Sequence, residues 1–329
     1  MSHEHRRAWQ QRSVAPAWTG LLRESPQPTA SDRAPDQAPD QTPGYAPGHA
    51  SGAPAPDLRA AVRELVAARL HGLCFSPYEP GQGPGTRVPE RTVEGRLQLI
   101  APFTRWIRSF SCTEGHEATP RLAHRAGLKT LVGAWLGKDR DINRREIEGA
   151  IELAREGVAD LVAVGNEVLL RGDLEESELL EAIERVRSAA PHVPVGYVDA
   201  YFLFEKHPRV ARACDVLMAN CYPFWEGCPL EHAVAYMQDM YRRTCVAADG
   251  KPVIIAETGW PDRGAAVGAA LPSPEHAMRY LLEAQAWARR DGVEMFHFSA
   301  FDEAWKIDVE GDVGAFWGLW DQRGQFKYA

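Results

Sequence analysis

Residues 129–168 read KTLVGAWLGKDRDINRREIEGAIELAREGVADLVAVGNEV. Its two ends, 129–136 and 160–168, are near-continuous apolar runs, as strands covered on both faces should be. Between them, residues 143–157 (NRREIEGAIELAREG) repeat their apolar positions with a helical period, placing Ile147, Ile151 and Ala154 on one face. Two buried strands joined by an amphipathic helix form a parallel βαβ unit.

The same alternation extends in both directions. Upstream, runs at 70–78 (LHGLCFSPY) and 103–111 (FTRWIRSFS) read as strands. Downstream, so do 193–200 (VPVGYVDA), 215–223 (DVLMANCYP), 252–260 (PVIIAETGW) and 294–303 (EMFHFSAFDE). Helical patterns separate them: 177–190 with a Ser cap, 231–243, and 273–290 with Ser273 as N-cap and Pro274 in the first turn. Eight strand–helix repeats predict an α/β protein, a (β/α)8 TIM barrel over residues 58–329. An open doubly wound sheet is the alternative, but no Gly-rich phosphate turn follows the first run.

Residues 1–57 have a different composition. They hold nine of the 24 prolines and the repeat APDQAPDQ at 34–41, too little apolar material to offset chain entropy. They are expected to form a disordered Pro/Ala-rich extension. Deletion up to about Ala55 should therefore leave activity and melting temperature nearly unchanged. A loss of several degrees would show instead that the segment packs on the barrel.

The chain has 329 residues, 45% hydrophobic, 25% charged and 9% aromatic, the proportions of a soluble globular protein. Its longest apolar stretches fall short of the ~18 residues of a membrane span. The first 25 residues lack an apolar segment of the secretory type, which favours a cytoplasmic location. A net charge of −8, with no long basic block, argues against nucleic acid and suits a neutral ligand. The six cysteines are expected to be reduced, and no paired Cys-x-x-Cys spacing suggests a metal. A local EGHE cluster at 114–117 (Glu114, His116, Glu117) reads more readily as a solvated patch than as a metal site. No cofactor is expected.

In such a barrel the active site gathers at the C-terminal ends of the strands. The polar residues ending the runs are Tyr78, Arg108, Trp135, Asn166 with Glu167, Asp199, Asn220 with Tyr222, Glu257 with Trp260, and Asp302 with Glu303. Glu167 and Glu257 end the fourth and seventh runs, so their side chains can face one another across the mouth. Facing carboxylates suit glycoside hydrolysis, one as proton donor and the other as nucleophile or activator of water. Trp135, Tyr222, Trp225, Trp260, Trp305, Trp317 and Trp320 are candidate rings for stacking on sugars, whereas Trp287 has helical spacing and reads as core. A purely structural reading pairs the acids with Arg and Lys merely to close the barrel.

From about residue 70 onward the chain resembles glycoside hydrolase family 17 in its bacterial type, the β-1,3-glucanases and their transglucosylase relatives. The resemblance rests on VGNEV (164–168), NCYPF (220–224), IAETGWP (255–261), FDEAWK (301–306) and WGLWD (317–321), in that order. It implies a retaining enzyme that cleaves β-1,3-glucosidic bonds of glucans or oligoglucans by double displacement. Glu167 is then the acid/base and Glu257 the nucleophile. Asn166 binds the sugar 2-OH, Arg108 and Tyr222 keep Glu257 ionised, and Glu303 with Lys306 form a supporting ion pair. Tyr78, Trp135, Trp260 and Trp305 complete the expected substrate-binding set. The stretch between Tyr222 and Glu257 is short, leaving little room for the extra subdomain that lengthens the cleft in plant members. A monomer is expected. The alternatives are a transglucosylase using the same pair and, from another class, a non-catalytic glucan-binding barrel.

Overall fold

The computed structural model describes residues 57–329. The expected disorder of residues 1–57 falls outside them, except for Asp57, whose side chain accepts the Ala60 amide and caps the first helix. Eight parallel strands close into one barrel in sequence order. They are β1 Leu70–Cys74, β2 Thr104–Arg108, β3 Lys129–Ala134, β4 Leu161–Asn166, β5 Val195–Ala200, β6 Val216–Asn220, β7 Val253–Thr258 and β8 Met295–His297. The principal helices are α1 Leu58–Ala67, α2 Glu90–Ile100, α3 Ala118–Arg125, α4 Arg140–Arg155, α5 Glu176–Ala189, α6 Pro208–Ala213, α7 Leu230–Ala248 and α8 Pro274–Asp291. No long helix follows β8. The outer ring is completed from the other end of the chain by α1, which packs on α8.

Every strand lies inside the run predicted for it, but most runs extend beyond the pairing. Phe75, Tyr78, Phe110, Leu136, Tyr222, Trp260 and Phe301 follow their strands outside the barrel sheet, and Val168 opens a short helix. Most are nonetheless buried, because these segments floor the barrel mouth. β8 is the extreme case and stops at His297. Residues 298–303 cross the mouth, with the Ala300 amide on Cys74 O and the Ser299 amide on Trp317 O. The α5 helix begins one residue earlier than its expected Ser cap. Glu175 is the N-cap, in a reciprocal capping box with Glu178. Ser273 caps α8 as expected, accepting from the His276 amide at 3.0 Å.

Three strand pairs slip in register. Ala163 pairs with Gly196 but Asn166 with Val198, and Ala219 pairs with Ile255 but Asn220 with Glu257. The third slip separates β7 from β8. All three fall beside the candidate carboxylates, one before Glu167 and two around Glu257, and such irregularities re-aim side chains.

The last residues of the chain form a clasp. Lys327 Nζ sits between Asp262 and Asp302, at 3.0 and 2.8 Å, all three side chains buried. The Arg59 guanidinium of α1 donates to the Lys327 and Ala329 carbonyls. All six cysteines are free thiols. Among the described residues no helix is long and apolar enough to cross a membrane.

Candidate active site

A cleft of about 410 Å3 opens at the C-terminal mouth of the barrel. Glu167 and Glu257 both line it. Glu257 is the more heavily bonded. Arg108, fully buried at the end of β2, pairs through Nη1 with Glu257 Oε1. The Tyr222 hydroxyl donates to Oε2 at 2.7 Å. Burial, and then the charge of Glu257, push the Tyr222 phenol well above its ordinary value, so it remains a proton donor in this bond. Arg108 also donates through Nη2 to Asn166 Oδ1 at 2.7 Å and lies 4.4 Å from the Phe110 ring centroid. One guanidinium thus ties the ends of β4 and β7 to β2.

Glu167 follows β4 with φ 51° and ψ 31°, a left-handed conformation unusual outside glycine. Three bonds hold it there. Its amide donates to Val198 O at 2.8 Å, its carbonyl accepts from Arg171, and Oε1 accepts from Asn220 Nδ2 at 2.8 Å. Gly165, two residues before it, has φ +89°, and a Cβ there would come within 2.7 Å of Val168. The tight exit from β4 therefore requires glycine.

Arg171 joins the β3 and β4 ends. It donates to Asn166 O and Leu136 O, pairs with Asp173 at 2.6 Å, and places its guanidinium 4.6 Å from the Trp135 ring centroid. Glu303 and Lys306 form a buried ion pair at 2.6 Å, with the ammonium 4.0 Å from the Phe298 centroid. Burial alone would lower the Lys306 ammonium, but the nearby carboxylates, Glu303 foremost, together outweigh it and the net shift is upward. Tyr78 and Trp305 pack edge to face at 6.1 Å, both on the cleft wall.

Most of the expected residues therefore converge on one mouth. Tyr78, Trp135, Asn166, Tyr222, Glu303, Trp305 and Lys306 line the cleft with the two glutamates, and Arg108 lies directly beneath. Trp225 and Trp317 line it too. Trp260 does not. Its indole turns outward to pack against Phe224 and Tyr280 and donates to Leu271 O, because α8 supplies an apolar partner there. Trp320 is likewise structural, packed among Phe103, Phe301 and Phe326. Trp287 lies in the core against Tyr241, as its spacing suggests.

The 114–117 cluster is a solvated patch only in part, since Glu114 is exposed and His116 is not. His116 is buried, with Nε2 3.0 Å from the Tyr78 hydroxyl, and burial lowers its proton affinity. Glu114 Oε2 accepts the Gly85 amide, whereas Glu117 turns to the Gly115 amide and to Arg87. Their side chains serve separate partners. Among the described residues, no three His, Cys, Asp or Glu side chains gather to hold a metal ion.

Sequence reading missed Glu146, on α4. Its Oε1 accepts from Ser111 Oγ at 2.6 Å and Thr113 Oγ1 at 2.5 Å; its Oε2 accepts the Cys112 and Trp135 amides at 2.8 and 3.0 Å. Burial outweighs these four donors and raises its pKa. The one available signal was a charged residue beside Ile147 on the buried face of its helix.

The chain can now be set beside known proteins. The family model of the BtgE/BtgC glycoside hydrolase domain matches residues 72–318. A glucan 1,3-beta-glucosidase of Saccharomyces cerevisiae is 26% identical over 270 residues, covering 74% of this chain and 86% of the relative. One from Arthroderma benhamiae is 30% identical over 244 residues, covering 67% and 79%. The crystal structure of a glycoside hydrolase family 17 β-1,3-glucanosyltransferase from Rhizomucor miehei superposes with a TM-score of 0.71 at 25% identity, over 79% of this chain and 96% of that one. Fold and relatives together define a glycoside hydrolase built on a (β/α)8 barrel. Within that class, the chain belongs to glycoside hydrolase family 17, as a BtgE/BtgC-type domain.

Proposed function

We propose that this enzyme acts on β-1,3-linked glucans or oligoglucans by double displacement, with Glu257 as nucleophile and Glu167 as acid/base. The observation that carries the assignment is the setting of Glu257, with Glu167 in the same cleft. Glu257 takes a guanidinium on one oxygen and a phenol on the other, two donors that fix the carboxyl group at the cleft, as a nucleophile needs. Glu167, at the end of β4, lines the same cleft and accepts from the Asn220 amide. In the first step Glu257 attacks the anomeric carbon, while Glu167 gives its proton to the departing glycosidic oxygen. In the second, Glu167, now a carboxylate, takes a proton from an incoming hydroxyl, which displaces Glu257.

The rings around the cleft suit a neutral sugar chain, whose apolar faces stack on indole and phenol. Because Arg108 occupies Asn166 Oδ1, the amide NH2 of Asn166 is left to donate, as contact with a sugar 2-OH requires. The stretch from Tyr222 to Glu257 holds a loop and α7 before β7 resumes, and the cleft gains no extra subdomain there.

Water or a second sugar can resolve the glycosyl-enzyme. The transfer reading is favoured by the likeness to a β-1,3-glucanosyltransferase. Incubation with laminaripentaose, followed by mass analysis, separates the two. Only shorter oligomers are expected from a hydrolase, and elongated ones from a transferase. An unchanged pentaose would overturn the catalytic reading in favour of a glucan-binding barrel.

A further inference from the structure

The geometry points to Asp199 as the residue that sets how tightly Glu167 holds its proton. This rests on Glu167 being the acid/base. Asp199 lies near the end of β5, is wholly buried, and does not line the cleft, so it acts as a positioning residue. Pairing of Asn166 with Val198, and the Glu167 amide on Val198 O, bring Glu167 alongside Asp199 on the neighbouring strand.

Both Asp199 oxygens accept hydrogen bonds. Oδ2 takes the Tyr197 hydroxyl and Oδ1 the Ala200 amide at 2.7 Å. The same Tyr197 oxygen accepts the Leu169 amide at 2.9 Å, within the turn just after Glu167. Asp199, Tyr197 and Leu169 thus brace the backbone that carries the acid. The charges that Asp199 meets are few. From the β4 side come Glu167 and Arg171, and Arg171 is bonded elsewhere to Asp173, Leu136 O and Asn166 O. Its own strand offers Tyr197, and the β6 residue in register with it is Ala219. Glu167 in turn meets Asn220 and Tyr222, and Tyr222 bonds Glu257, the partner of Arg108.

Asp199 takes its hydrogen bonds from a phenol and an amide, and two buried carboxyls placed side by side disfavour simultaneous ionisation. Consistent with this, burial first, and then the charge of Glu167, raise Asp199 to about 7. The coupling is reciprocal. Ionised Asp199 makes Glu167 a weaker acid, extending the pH range in which the donor keeps its proton. Replacing Asp199 with a neutral side chain can only lower the proton affinity of Glu167.

The test is the pH profile of kcat/KM on laminarin for the full chain, Asp199→Asn and Asp199→Ser. Both substitutions should move the alkaline limb down by about half to one pH unit. An aryl laminaribioside with a nitrophenolate leaving group, whose departure needs no proton, should show no such shift. An unmoved limb in folded variants overturns the proposal, as does an equal shift on the aryl substrate. Should both variants fail to fold, the wild-type limb decides. A coupled pair titrates more broadly than a single group, and a limb of single-proton steepness refutes the coupling. Failure of the underlying assignment reads differently, because Glu167→Gln would then leave laminarin turnover intact whatever Asp199 does.

Discussion

Glu257→Gln is expected to lower turnover by roughly 10^4- to 10^6-fold, the scale seen when a covalent nucleophile is removed. The loss should be similar on natural glucans and on activated aryl glucosides, since both need the attack on the anomeric carbon. Glu167→Gln should instead discriminate. It should cripple laminarin, whose alcohol leaving group needs a proton, but spare the first step on an aryl glycoside. Azide then gives each role a stereochemical signature. In Glu167→Ala, azide attacks the covalent intermediate and yields the β-azide; in Glu257→Ala, it enters from the vacated face and yields the α-azide. A β product from the Glu257 variant would exchange the two roles. Unaltered turnover in both variants would move the chemistry elsewhere in the cleft.

The largest effect on stability is expected outside the cleft lining, at Lys327. Its ammonium lies between the buried carboxylates of Asp262 and Asp302, and Asp302 also accepts the Gly318 amide at 2.9 Å. Lys327→Met keeps the apolar stem but strands two buried acids, a loss of about 3–5 kcal/mol. The loss should depend on pH. Burial already raises Asp302 to about 6 even with Lys327 present, and removing the cation raises it further. An acid whose folded pKa exceeds its unfolded value favours the folded state at low pH, and that contribution fades as pH rises through the folded pKa. The variant should therefore lose most stability near pH 8 and least near pH 5. Urea unfolding at both pH values measures the difference. An equal loss at the two, or one below about 1 kcal/mol, would mean that water rather than Lys327 satisfies these carboxylates.

The barrel was legible because parallel strands covered on both faces must be apolar throughout, and eight such runs alternate with helices. Strand ends were less legible. Apolar character reports burial, and Phe75, Leu136 and Phe301 are buried without belonging to the barrel strands. The two glutamates could be read from their position after strand-like runs. The aromatic rings could be read only as a set. Nothing local distinguishes Trp260, which faces α8, from Trp135, which faces the cleft, because a loop after a strand has no fixed period to say where its side chains point. Glu146 and Asp199 escaped a functional reading for a related reason. The partners of Glu146 are amides and hydroxyls from loops distant in sequence, and those of Asp199 are a phenol and an amide of its own strand; neither set leaves a motif.

Glu146 has a consequence for how this cleft can change. One carboxylate on α4 collects donors from the β2 exit at Ser111, Cys112 and Thr113 and from the β3 exit at Trp135. Those two exits and the helix therefore behave as a single inheritable part. A graft that imports a foreign loop at 111–113 alone leaves a buried anion short of donors. The segment 111–146, exchanged whole, carries its own anchor with it, so variation in this wall should arrive in blocks rather than residue by residue.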